Sequence, residues 1–132
     1  MNCQIENGPV FTVLRIQLAE GESFRAEPGS MIAMSPTIKL EAKSAGKGIF
    51  GALKAAAGGE SFFASLYTAV EGDGEIVLAP SVPGDIMKFE MTGRELYAQG
   101  SAYMAGSPEL TIASQGSLNL NPASNLKSIS RI

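Results

Sequence analysis

An all-β sandwich is the fold this sequence predicts, and three observations predict it. Apolar and polar residues alternate through several short runs, the period of strands with one buried face. Strings rich in Gly, Pro, Asp and Ser separate those runs at near-regular spacing, as in a sandwich or barrel rather than a layered α/β fold. One turn-plus-strand string also occurs twice.

The elements follow in chain order. In FTVLRIQL, Phe11, Val13, Arg15 and Gln17 share one face, and Thr12, Leu14, Ile16 and Leu18 share the apolar other. TIKLEAK sets Ile38, Leu40 and Ala42 against Lys39, Glu41 and Lys43. EIVLAP from Glu75 and DIMKFEM from Asp85 read as two further strands. The expected core is Ile38, Leu40, Ile76, Leu78, Ile86 and Phe89. Phe89 fits its run least well, because alternation from Ile86 places Lys88 on the same face unless a bulge intervenes. The strings EPGS, GDG and PSVPG mark turns, with Gly29, Gly72 and Gly84 at positions where a positive φ is useful.

The repeated string is FRAEPGSMIAMSPTIKLEAK from Phe24, echoed by LYAQGSAYMAGSPELTIASQ from Leu96. Ser35-Pro36 falls on Ser107-Pro108, Ala26 on Ala98 and Ala33 on Ala105, an offset of 72 residues. Matching Gly29-Ser30 to Gly100-Ser101 needs a shift of one residue. A duplicated β unit is the reading adopted. Residues 1–116 are read as one domain whose second β unit begins near residue 94, and residues 117–132 as a Ser/Asn-rich tail or edge strand.

Composition narrows the function. A chain of 132 residues can bury a real core without staples. With 45% hydrophobic and 17% charged residues it has the balance of a folded protein. A net charge of −3 argues against nucleic acid as a partner. Cys3 is the single cysteine, so no internal disulfide is available, and it reads as a small apolar residue of the first strand. Histidine is absent, which removes the commonest general base and metal ligand. Only an oxygen-ligand site for a hard cation stays open. No catalytic residue, metal ligand or cofactor is therefore expected. The N-terminus shows no basic and then apolar signal pattern. The apolar run from Ile49 to Ala57 is too short to span a bilayer. A cytoplasmic protein is expected.

Gly46-x-Gly48-x-x-Gly51 has the spacing of a dinucleotide-binding loop, but its surroundings are wrong. The preceding strand is amphipathic, with lysines outward, instead of buried on both faces. The helical piece GALKAAAGG closes at Gly58-Gly59, and Glu71 and Asp73 lie in a glycine-rich turn. Another role is needed for this loop. Ile49, Phe50 and Leu53 make an apolar patch on a short helix, and residues 39–54 carry four lysines against one glutamate. Residues 60–95 carry seven acids against Lys88 and Arg94. Such a helix can cap its own barrel, form a subunit contact or rest on a membrane; for the last it has too few basic residues to hold alone. The subunit contact is the sharper expectation, because apolar patches mark interfaces and charge asymmetry fixes the docking register. Ile49, Phe50 and Leu53 are the interface candidates of a homo-oligomer, with a trimer expected.

AEPGSMIAM at Ala26–Met34, KGIFGALKAAAGGES at Lys47–Ser61 and LAPSVPGD at Leu78–Asp85 occur in this order. Together they resemble the altered-inheritance-of-mitochondria (mitochondrial biogenesis) family in its bacterial branch, over residues 2–116. Lys47 stands where that family has a glycine, and Ala55 where it has an arginine. The resemblance implies a TRAP-like fold, a duplicated double-stranded β-helix sandwich that assembles into rings, and it brings no established enzymatic site. Members of the family continue through a whole second β unit, which this chain opens, so a strand edge is expected to be left open. A non-enzymatic assembly or scaffold protein is the function expected. The alternative is a module that holds a small molecule or lipid headgroup near Glu27, Ser30 and the lysine-bearing loop. An acid/base enzyme built on Glu27 and Glu60 is disfavoured, since glutamates beside turns are usually solvated. RNA binding by analogy with the tryptophan RNA-binding attenuation protein, to which the implied TRAP-like fold is akin, lacks the interleaved aromatics it needs.

Overall fold

The computed structural model of the chain describes residues 1–43, 64–99, 102–114 and 126–131. Every regular element among them is a strand. They are β1 (Asn2–Glu6), β2 (Val13–Leu18), β3 (Ser23–Ala26), β4 (Met31–Met34), β5 (Ile38–Lys43), β6 (Ala64–Ala69), β7 (Gly74–Leu78), β8 (Glu95–Gln99), β9 (Ala105–Gly106), β10 (Leu110–Ser114) and β11 (Leu126–Arg131). The ladders β1–β2, β2–β7, β4–β7, β3–β6, β3–β9, β10–β11 and β8–β11 are antiparallel, so the all-β expectation holds. The chain divides into two units, the first comprising residues 1–42, 64–89 and 104–108, the second 43–63, 90–103 and 109–132.

The first unit holds two four-stranded sheets, ordered β1-β2-β7-β4 and β5-β6-β3-β9. Their inward positions follow from period 2. Ile16 and Leu18 on β2 sit beside Ile76 and Leu78 on β7, with Ile16 paired to Ile76. From the other sheet come Phe24 and Ala26 on β3, and Tyr67 and Ala69 on β6, with Phe24 paired to Tyr67. These side chains and Ile38 form a single core cluster, which makes the unit a sandwich. The second unit holds a three-stranded sheet ordered β10-β11-β8. Strand β11 is thus paired on both sides, and the Ser/Asn-rich segment supplies an inner strand of this sheet instead of an edge.

The repeat is visible in the strands. Moved by 72 residues, the start of β3 falls on that of β8, the last two residues of β4 on β9, and the start of β5 on that of β10. The sheet order β5-β6-β3 then matches β10-β11-β8, which makes β11 the counterpart of β6. Twenty residues, 44–63, join β5 to β6, whereas eleven, 115–125, join β10 to β11.

Three expectations are corrected. The run from Asp85 forms no strand: beyond an isolated bridge between Phe11 and Gly84, residues 85–94 are irregular. The Asp85 carboxylate accepts a hydrogen bond from the N–H of Ile86 (2.9 Å), a local bond that competes with a ladder. Phe89, on that irregular stretch, is 50% exposed, and Ile86 is only half-buried. Leu40 is 38% exposed, because β5 is the outermost strand of its sheet and covers an inward side chain from one side only. Ile38, Ile76 and Leu78 are buried as expected. The short helix expected in the glycine-rich loop lies outside the described residues.

Turn glycines behave in two ways. Gly29 has φ of 88° and Gly72 has φ of 104°, the left-handed region that side chains resist. Gly84 has no such backbone, and a Cβ added there would meet only the carbonyl of Val82, at 3.9 Å. Gly29→Ala is therefore expected to cost about 1–2 kcal/mol, read from urea midpoints, whereas Gly84→Ala should melt with the wild type.

Burial pushes the Tyr67 hydroxyl above its ordinary pKa of 10.0, against a smaller downward pull from Ser65. A raised folded-state pKa keeps its stabilisation intact below the unfolded value and loses it as pH climbs through the folded one. The denaturation midpoint should hold up to about pH 10 and then fall. In Tyr67→Phe that alkaline fall should shrink; an unchanged fall assigns it to other groups.

Candidate subunit interface

The described motifs prove to be joints of the fold. Glu27-Pro28-Gly29-Ser30 is a turn in which the N–H of Ser30 donates to the carbonyl of Glu27 (3.3 Å). Proline at the second position and positive φ at the third make it type II. It carries the chain from β3 in one sheet to β4 in the other. Ser30 is buried, its hydroxyl donates to the carbonyl of Glu27 (2.7 Å), and its own carbonyl accepts from Ala79 N–H (2.8 Å). This hydroxyl is committed, which counts against the anion-holding role considered for Glu27 and Ser30.

Ser35-Pro36 makes the return crossing, from β4 to β5. The N–H of Ser35 donates to the carbonyl of Glu75 (2.8 Å), and its hydroxyl accepts from Glu75 N–H (2.9 Å). In the third motif Leu78 is fully buried, and Asp85 accepts a hydrogen bond from the buried hydroxyl of Thr12 (2.9 Å). A Cβ on Gly8 would stand 3.3 Å from that Asp85 oxygen, so a glycine there lets the two loops close on each other.

The outer face of sheet β1-β2-β7-β4 carries one arginine between two glutamates. Arg15 on β2 donates to Glu6 on β1 (3.0 Å) and also to Glu75 on β7. Hydrogen bonds to Glu6 first, then to Glu75, raise the pKa of the guanidinium. Because all three are substantially exposed, the network fixes strand order more than it adds stability. Sequence reasoning did not single out these partners; the signal available was an arginine at an outward position between apolar neighbours.

An open hollow of about 470 Å³ lies where Met1, Gln17, Ser35, Asp73 and Glu75 meet. Glu22 also lines it, and its carboxyl is held below the usual range by a hydrogen bond from the N-terminal ammonium (2.6 Å) and one from Ala19 N–H (2.8 Å). Three carboxylates suit this hollow poorly to a phosphate headgroup.

Apolar side chains are exposed at several other places on the first unit. Val10, Phe11 and Val82 surround the Phe11–Gly84 bridge, and Ile32 and Met34 lie on β4, an edge strand. Ile49, Phe50 and Leu53, the sequence-based interface candidates, lie outside the described residues, as does Glu60. No helix among the described residues is long and apolar enough to cross a membrane.

The family model described as Mitochondrial biogenesis AIM24 matches residues 3–124. An uncharacterized protein of Streptococcus pyogenes serotype M6 is 30% identical over 111 residues, which are 80% of this chain and 44% of that protein. A crystal structure of a Streptococcus pyogenes protein superposes with a TM-score of 0.77 at 24% identity, over 99% of this chain and 61% of that one. This likeness shows the fold, and the chain spans about half the length of the curated relative.

Proposed function

The chain belongs to the mitochondrial biogenesis AIM24 family, and from that premise we propose that it is a non-enzymatic assembly or scaffold protein. It works as a cytoplasmic homo-oligomer, with a trimer as the expected state, on the TRAP-like architecture that the family resemblance implies. The observation that carries this reading is the exposed apolar surface at Val10, Phe11, Ile32, Met34 and Val82, in a chain whose described motif residues are spent on turns and crossings. Patches of this kind mark contact surfaces. Ile49, Phe50 and Leu53 belong to the same reading as the apolar face of the glycine-rich loop.

The test is the native mass of the purified chain, with mass spectrometry for a co-purifying small molecule. A ring with nothing bound supports the scaffold, whereas a stoichiometric metabolite or lipid replaces it with the binding module. Phe50→Ser with Leu53→Ser removes roughly 3–6 kcal/mol of apolar burial if both side chains are covered. At a subunit contact this lowers the native mass and leaves the β-sheet circular dichroism intact. An unfolded monomer would make the segment a cap on its own core.

A further inference from the structure

The duplication assigns partners to two strand edges. Strand β9, from the second repeat, pairs with β3 of the first, Ala105 with Ala26 and Gly106 with Arg25. The N–H of Glu27 donates to the carbonyl of Met104 (2.7 Å). Since backbone groups face alternate edges along a strand, Met104 and Gly106 face β3, and Arg25 and Glu27 face β9.

Carried back by 72 residues, the β9 residues Ala105 and Gly106 become Ala33 and Met34 of β4. Strand β4 uses its other edge for β7: the N–H of Ser35 donates to Glu75, so the backbone groups of Met34 point outward. Carried forward, Arg25 and Ala26 become Tyr97 and Ala98 of β8. The ladders match here too, because Leu96 pairs with Ile129 as Phe24 pairs with Tyr67. The N–H of Ala102 even donates to Gln99 (2.9 Å) as that of Ser30 donates to Glu27. The outer edge of β8 therefore corresponds to the edge of β3 that receives β9, and the outer edge of β4 to the edge that β9 offers. Among the described residues no strand occupies either.

We infer that the outer edge of β4 in one copy of this chain pairs with the outer edge of β8 in the next, antiparallel, with Ala33 opposite Ala98 and Met34 opposite Tyr97. The side chains on this register support the choice of partner. Ile32 is 58% exposed, Met34 39% and Tyr97 47%, and all three are covered by the pairing. The small pair Ala33–Ala98 repeats the small pair Ala105–Ala26. Each copy carries one edge of each kind, so the contact is head-to-tail and ends only when a ring closes. Closure also removes two open edges. This inference rests on the homo-oligomer reading and specifies its contact.

The test is cross-linking between two variants of the full chain, both carrying Cys3→Ala to remove the native thiol. One bears Met34→Cys and the other Tyr97→Cys. Directly opposed residues stand about 5.5 Å apart between Cα atoms, within the span of a disulfide. Mixed, allowed to exchange subunits and mildly oxidised, they should give a disulfide-linked pair containing one of each. Neither variant alone should give a linked pair. An oligomer in which the mixture fails to cross-link overturns this pairing and leaves the oligomer reading standing. A monomeric native mass of the unmodified chain overturns both. A linked pair from Met34→Cys alone would mean that β4 meets β4, and a double variant that closes on itself as a monomer would mean that the edges meet within one chain; either result overturns the inference.

Discussion

Leu78→Ala is expected to destabilise the protein by about 2–5 kcal/mol, the cost of deleting a buried leucine side chain and leaving a cavity. Leu78 is fully buried on β7, paired with Leu14 on one side and Met31 on the other. Both neighbouring strands are held in register at that level, and this limits how far the site can collapse. Urea denaturation followed by circular dichroism measures the change. For a chain of this size each kcal/mol corresponds to roughly 2–4 °C in Tm, so a shift of under two degrees would mean that the core relaxes freely around β7.

Gly74→Ala should be the more informative loss, because it adds one methyl and removes nothing. An added Cβ would stand 2.8 Å from Ile38 Cγ1 and 2.8 Å from Thr37 Oγ1, with Ile38 Cδ1 closer still. Ile38 is buried, and Thr37 is tied to the carbonyl of Asp73 (2.9 Å) and accepts from Val70 N–H (3.0 Å). Neither can give way without disturbing the return from β4 to β5. Overpacking of this kind costs about 1–3 kcal/mol. The diagnostic control is Gly74→Ala combined with Ile38→Val, which makes room beside the new methyl. The pair should be less damaging than the sum of the two changes. Strict additivity would show that the close approach is not what requires glycine.

The strands that could be read in advance are those whose inward residues are also their greasiest. Ile16 and Leu18 on β2 alternate with Arg15 and Gln17, Ile76 and Leu78 on β7 are the bulkiest residues of theirs, and all four lie in the core. Strand β6 could not be read in this way. Its buried residues are Ser65, Tyr67 and Ala69, while Leu66 faces outward and is only half-buried. Hydrophobicity thus points the wrong way along it, since the small Ser65 faces Ala26 across the ladder. The run from Asp85 failed for the opposite reason: its composition suits a strand, but Asp85 turns its carboxylate to Ile86 and Thr12. Of the proposed interface, composition gave apolar patches but no edges. Which edges remain available depends on pairings across long stretches of chain, such as Ala26 with Ala105, and no local pattern carries that information.

The two repeats join equivalent strands by connections of unequal length. The entropy of closing a flexible loop grows only with the logarithm of its length. Lengthening the eleven-residue link between β10 and β11 to the twenty residues between β5 and β6 therefore changes the closure cost by only about half a kcal/mol. Thermal stability exerts almost no hold over that length. The number of residues between these two strands can therefore vary widely while the strands they join stay paired.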